Sequence, residues 1–236
     1  MSSIIDKSHS KLGPQGGYDL DILPHEQKIC HKLSLRRNYI NDADMLLEDF
    51  TALTWLCLSA NALTMFPKCL SNIPNLEHLY ISNNKITAIQ HLEKCVKLVT
   101  LEIRHNQLTD ISGINHLTKL SSFSVSGNNI SELKPDAFPQ NIEFVGLFGN
   151  KLSDLDEILS VLSSLKCLKK TFIGANPFCH SLPLKEIFNV SVDYSQLSNG
   201  VKRFKYDAVS LNFQQLLALI KEKCPSIVNI DNNILY

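Results

Sequence analysis

The groups able to break bonds or hold metals in this chain are eight histidines, seven cysteines and 23 acidic residues. Each such chemistry needs its groups to converge: HExxH for a zinc hydrolase, GxxxxGK(S/T) for a phosphate cradle, GxSxG for an acyl-transfer serine. None of these occurs, no CxxC pair occurs, and His31, His78 and His105 are dispersed, so solvated surface roles are expected for them. Neither a catalytic residue nor a cofactor or metal site is expected. The chemistry that remains is contact. The only tryptophan, Trp55, lies 23 residues before His78, and Tyr80 lies 22 before Glu102, with Arg36, Arg104, Phe144, Phe148 and Phe172 falling into the same rhythm. Tryptophan, tyrosine and arginine dominate the energetics of protein interfaces. What positions them is the element that repeats.

Residues 76–89, LEHLYISNNKITAI, place leucine or isoleucine at positions 1, 4, 6, 11 and 14, with asparagine at position 9. That spacing fits neither a helix nor a strand throughout, and predicts a short strand that turns into something else. The frame recurs seven times, beginning at Cys30, Leu53, Leu76, Leu98, Leu120, Ile142 and Leu168. Its asparagines are Asn38, Asn61, Asn84, Asn106, Asn128, Asn150 and Asn176, in steps of 23, 23, 22, 22, 22 and 26 residues. Columns 4, 6 and 11 are apolar apart from Thr171. One unit of this size cannot bury its apolar face alone, whereas stacked units share a continuous core. An amide within the turn carries donors and an acceptor. It is expected to bond backbone groups of its own and the neighbouring coil, which would cost about 1–3 kcal/mol each if buried unpaired.

Over residues 30–181 the pattern resembles the leucine-rich-repeat family, whose unit is written LxxLxLxxNxIxxI. The resemblance implies an α/β architecture: a right-handed solenoid of seven repeats plus caps, with a parallel sheet on its concave side. The stretch FQQLLALIKEKCPSIVNID puts Phe213, Leu216, Leu217, Ile220 and Cys224 on one helical face, and Pro225 ends it. This is similar to the C-terminal cap of the cytosolic 22-residue repeat class. Phe213, Pro225, Ile227, Ile230 and Asp231 match its pattern, while Gln214 and Asn232 depart from it. That class includes the phosphatase-1 regulatory subunit, the axonemal dynein light chain, the acidic nuclear phosphoproteins and the spliceosomal A-prime protein.

The rest of the chain divides around the repeats. Residues 1–17 are polar and glycine-containing and are expected to form a flexible tail. Residues 18–29 form an N-terminal cap in which Leu20, Ile22, Leu23 and Ile29 cover the first coil. Between strands, LLEDF, HLEKC and INHL suit single helical turns, and the two prolines of KPDAFPQ suit irregular backbone. DEILSVLSSLKCL, residues 156–168, reads as a longer α-helix. Residues 182–236 form a C-terminal cap interrupted by residues 182–211, in which NVSVDY alternates like a strand, SNG reads as a turn, and VKRFKY is basic and aromatic.

Equal numbers of basic and acidic residues, 23 each, argue against a general polyanion binder. No run of 18 apolar residues suggests a membrane span, and MSSIIDKSHS lacks the features of a secretory signal. The cysteines are odd in number and scattered. Cys95 stands where the repeat wants leucine and Cys30 starts a repeat, both read as small buried apolar residues, and a reducing compartment follows, cytoplasmic with nucleus or cilium as alternatives. The sequons at Asn129 and Asn189 are expected to stay unmodified there.

Alternation along each strand sends positions 4 and 6 inward and positions 3, 5 and 7 onto the open sheet face. Position 3 carries Lys32, Trp55, His78, Thr100, Ser122, Phe144 and Lys170. Position 5 carries Ser34, Cys57, Tyr80, Glu102, Ser124, Gly146 and Phe172. Position 7 carries Arg36, Ser59, Ser82, Arg104, Ser126, Phe148 and Gly174. Two aromatic patches are therefore expected, Trp55 with His78 and Tyr80, and Phe144 with Phe148 and Phe172, separated by a serine-rich saddle. The expectation is a monomeric, non-enzymatic scaffold that holds a protein partner on this face. The family resemblance suggests a phosphatase catalytic subunit as one such partner. A cytoskeletal adaptor and a ribonucleoprotein component are the alternatives.

Overall fold

The computed structural model describes residues 3–180 and, beyond them, 190–191, 205–206, 218, 220–230 and 233–234. Its strands rise in chain order: β1 (Ser3–Asp6), β2 (Cys30–Ser34), β3 (Trp55–Cys57), β4 (His78–Tyr80), β5 (Thr100–Glu102), β6 (Ser122–Ser124), β7 (Phe144–Gly146) and β8 (Lys170–Phe172). Every neighbouring pair from β1 to β8 is parallel. Two further pairs are β9 (Val190–Ser191) with β10 (Lys205–Tyr206), and β11 (Asn229–Ile230) with β12 (Asn233–Ile234), both antiparallel. Because β11 also joins β8, the main sheet has ten strands among the described residues, in the order β1 to β8, β11, β12.

The register is that of the repeat. Lys32 pairs with Trp55, Trp55 with His78, and so on through Phe144 with Lys170. Columns 4, 6 and 11 are buried in all seven units and form one continuous core. Thr171, the single polar member, is fully buried and donates its hydroxyl to the Val145 carbonyl at 3.0 Å. Cys30 and Cys95 are fully buried as well. Burying a leucine or isoleucine contributes roughly 1.5–3 kcal/mol, so columns rather than single residues hold the stack together.

The asparagines stitch that stack. Nδ2 of Asn106 donates to the Ile103 carbonyl of its own coil and to the Ile81 carbonyl of the coil before, while its Oδ1 accepts from the Ile86 amide. Equivalent bonds recur at Asn38, Asn61, Asn84, Asn128, Asn150 and Asn176. The residue just before each asparagine is left-handed: Arg37, Ala60, Asn83, His105, Gly127, Gly149 and Ala175 have φ between 53° and 72°. This reversal swings the chain off the sheet and aims the asparagine inward.

The N-terminal segment departs from the expectation of a flexible tail. Residues 3–12 are an additional coil in register with the repeats: Ile5 pairs with Leu33, Leu12 is buried, and His9 is left-handed with φ 59°. Asn38 ties this coil down through the Lys7 carbonyl and the Leu12 amide. Covering the first repeat is thereby the work of residues 3–12. Residues 18–29 return along the outside, with Leu20 buried and Ile22 packed on the core, but Leu23 and Ile29 more than half exposed. Helix α1 (Pro24–Ile29) buries no residue.

On the outer side, α2 (Asp44–Leu47) forms within the first unit, while HLEKC and INHL make hydrogen-bonded turns without a helix. The helix expected over 156–168 is α3 (Leu155–Ser164), which stops short of residues 165–168 and is capped by the Asp154 carboxylate, which accepts from the Glu157 amide. Its buried face carries Ile158, Leu159, Val161 and Leu162. Residues 220–230 close the other end: Ile220, Cys224, Ile227 and Ile230 are buried, and Lys223 pairs with Asp156 at 3.1 Å. Phe213, Leu216, Leu217, Gln214, Asp231 and Asn232 lie outside the described residues, as do the SNG turn and most of 182–211.

Candidate functional site

Each candidate residue sits on a strand or in the turn that leaves it, so its direction follows from the pairing register. Trp55, His78, Tyr80, Glu102, Phe144, Phe148 and Phe172 are half-buried on the open face of the sheet, and Arg36 and Arg104 are exposed beside them. The Trp55 and Tyr80 rings lie 5.4 Å apart, tilted by 43°. Phe144 and Phe172 lie 5.4 Å apart, edge to face at 80°, with the Lys170 ammonium 4.7 Å above the Phe172 ring. The structure thus assembles both aromatic pairs. His78 is the register partner of Trp55; like His31 it is half-buried at the surface, and Nδ1 of each is buried without a hydrogen-bond partner.

Between the strands' ends and the first aromatic pair lies a hollow of about 700 Å³. Its floor is built from short side chains, Cys57, Ser59 and Ser82, all buried. The serines are internally satisfied: Ser59 Oγ accepts from the Ser82 amide, and Ser82 Oγ accepts from the Arg104 amide at 3.0 Å. Arg36 and Arg37, after β2, and Arg104 and His105, after β5, line this hollow, and Asp6 and Glu102 also face it. Glu102 accepts an ion-paired hydrogen bond from Arg104, which fixes the guanidinium over the sheet. The carboxyl of Asp6 is held below its ordinary pKa by hydrogen bonds from the Ser8 hydroxyl and amide.

Six lining residues escape a reading by strand alternation. Arg37, Ala60, Asn83 and His105 occupy the left-handed position, where alternation no longer predicts direction, and Asp6 and Ser8 belong to the added coil. The signal for His105 was its neighbour. Gly127 is so close to the His105 ring that a Cβ there would come within 2.5 Å of Nδ1, so glycine in one unit makes room for histidine in the previous one. Toward the other end the wall is flatter, because a Cβ at Gly146 would meet Ser124 Oγ at 2.5 Å.

Among the described residues no group of histidine, cysteine or carboxylate side chains is arranged to hold a metal ion, and no helix is long and apolar enough to cross a membrane.

Residues 51–94 and 96–135 match the family model of leucine-rich repeats in two copies. Similar solved structures include an internalin (inlF) from Listeria monocytogenes, at 30% identity and TM-score 0.57 over 63% of this chain and 43% of that one. A Leptospira interrogans LRR protein matches at 26% identity and TM-score 0.56, again over 63% of this chain and 38% of that one. TLR13 in its complex with ssRNA13 matches at 25% identity and TM-score 0.57, over 63% and 22%. The chain spans less than half the length of each of these three. It carries leucine-rich repeats and folds as an open leucine-rich-repeat solenoid of α/β type.

Proposed function

We propose that this protein is a non-enzymatic scaffold that binds a protein partner on the open face of its sheet. The observation that carries the reading is the pair of aromatic couples, Trp55 with Tyr80 and Phe144 with Phe172, standing half-buried on positions where the core requires no apolar residue. Cross-strand aromatic pairs do stabilise sheets. A stability role alone, however, does not call for arginines beside a hollow of about 700 Å³. Rigid aromatics next to arginine form the centre of an interface in which the surrounding contacts exclude water. Leucine-rich-repeat proteins generally act by binding other proteins, which supports the same reading.

Within that class, the regulatory subunit of a phosphatase is the leading role, resting on the resemblance of residues 213–231 to the C-terminal cap of the 22-residue repeat class, and a cytoskeletal adaptor is the alternative. A cytoplasmic location fits Cys30, Cys57, Cys69, Cys95, Cys167 and Cys224, all free. The test replaces Trp55 and Tyr80 by alanine, and separately Phe144 and Phe172, and compares partner capture by each folded variant with that of the parent protein. Loss of the same partner from at least one double variant is expected. If both retain every partner, the sheet face is not the binding surface. Capture of RNA by the parent protein, lost steeply with salt, would instead favour a ribonucleoprotein role.

A further inference from the structure

The hollow has a charge pattern that the aromatic residues do not explain. Arg36 and Arg104 occupy the same column, three strands apart, which corresponds to about 14 Å at the ordinary strand spacing. Arg36 is exposed and, like Arg37, has no ion-pair partner among the described residues; Arg104 gives part of its guanidinium to Glu102 and remains 45% exposed. Between the two arginines, the same column holds only Ser59 and Ser82, both buried. A depression therefore separates two cationic posts, and the Trp55–Tyr80 pair borders it.

We infer that this hollow receives an extended acidic segment of the protein partner, with carboxylates four residues apart and an apolar side chain midway between them. The inference rests on the partner-binding reading above. An extended chain advances about 3.3 Å per residue, so residues i and i+4 are separated by about 13 Å. That distance matches the separation of the posts. Alternation sends i, i+2 and i+4 to one face. The carboxylates then reach Arg36 and Arg104 while the middle side chain drops over Ser59 and Ser82 against the Tyr80 ring. Arg37, beside Arg36, strengthens the first post. Arginine suits this task because its planar fork can grip a carboxylate through two parallel bonds.

The probe is a capped nine-residue peptide with glutamates at its third and seventh positions, leucine at its fifth, and serine and glycine elsewhere. Trp55 is the only tryptophan, so its emission reports occupancy directly. Expected are a saturable change in that emission and roughly tenfold weaker binding for each glutamate replaced by glutamine, the effect of about 1.4 kcal/mol. Replacing the leucine by serine, or moving the glutamates two apart, should weaken binding similarly. The charge-reversed protein, Arg36→Glu with Arg104→Glu, should lose the glutamate peptide and accept a version carrying lysines.

Equal binding of the glutamine peptide overturns the inference. So does tighter binding of a single-stranded oligouridine, which would assign the face to nucleic acid. If the glutamate peptide leaves Trp55 emission unchanged while the Trp55 and Tyr80 double variant still loses its partner, the acidic-segment inference falls and the partner-binding face stands. Failure of both experiments removes both.

Discussion

Asn84 is bonded to the backbone of two coils at once: its Nδ2 donates to the Leu58 carbonyl of the preceding coil at 3.1 Å and to the Ile81 carbonyl of its own at 3.0 Å. Its Oδ1 accepts from the Leu63 amide at 3.0 Å. Leucine has the right size and none of these bonds. Asn84→Leu should therefore destabilise the fold by about 3 kcal/mol, since each buried backbone group left unpaired costs about 1–3 kcal/mol. Chemical denaturation followed by circular dichroism measures this, and an unchanged midpoint would contradict the stitching role.

The left-handed column makes an opposite kind of prediction. Ala60 and Ala175 are held at φ 59° and 53°, a conformation that costs a residue with a Cβ roughly 1–2 kcal/mol. Glycine removes that strain but loses about 0.5–1 kcal/mol to its freer unfolded chain. Ala60→Gly and Ala175→Gly should each stabilise by about 0.5–1 kcal/mol, and Gly149→Ala should destabilise by a similar amount. Gly149 is a clean control, because the nearest atom to an added Cβ lies at 3.9 Å and only the backbone angle opposes the change. A melting series across the three variants tests the sign at each position.

Gly146 is constrained by space instead. An added Cβ would approach Ser124 Oγ to 2.5 Å and Ser124 Cβ to 3.1 Å, and Ser124 is buried with nowhere to move. Gly146→Ala is expected to cost about 1–3 kcal/mol, the range for overpacking. Adding Ser124→Ala should recover part of the loss. A double-mutant cycle with no coupling between the two positions would show that they do not press on each other.

Cysteine reactivity reports the packing of the core. Burial pushes the thiols of Cys69 and Cys95 up to about 12 and that of Cys224 up to about 11. Raised in this way, they remain protonated and unreactive near pH 8, whereas Cys167 is exposed. Brief iodoacetamide treatment of the native protein followed by peptide mapping should find Cys167 modified and Cys69, Cys95 and Cys224 protected until denaturant is added. Rapid labelling of Cys95 in the native state would mean that its coil opens readily.

How much of this was legible in the sequence differs from residue to residue, for physical reasons. Strand register was legible because column spacing is imposed by the core: once Leu56 and Leu58 face inward, Trp55 and Cys57 have no other side to occupy. The asparagine stitches could be foreseen because a buried amide must find partners. The coil formed by residues 3–12 was not, since Lys7 stands in an apolar column and Ser10 in the asparagine position, so its membership rests on backbone pairing that leaves little trace in side-chain type. The left-handed column was faint for a related reason. Gly127, Gly149 and Asn83 favour that conformation, but Arg37, Ala60, His105 and Ala175 adopt it only because the neighbouring coils dictate it. The lining by Arg37 and His105 followed from that hidden column.

The stitch at Asn38 has a mechanical meaning. Every later asparagine grips a coil that carries an asparagine of its own, but the coil it holds has serine in that place, so the terminal layer is fastened from one side alone. Under tension applied at the amino end the array should part there first, like a zip whose last tooth has no mate. The rupture force would then be set by the few bonds of that seam, the β1–β2 ladder and the Asn38 amide, rather than by the bulk of the solenoid.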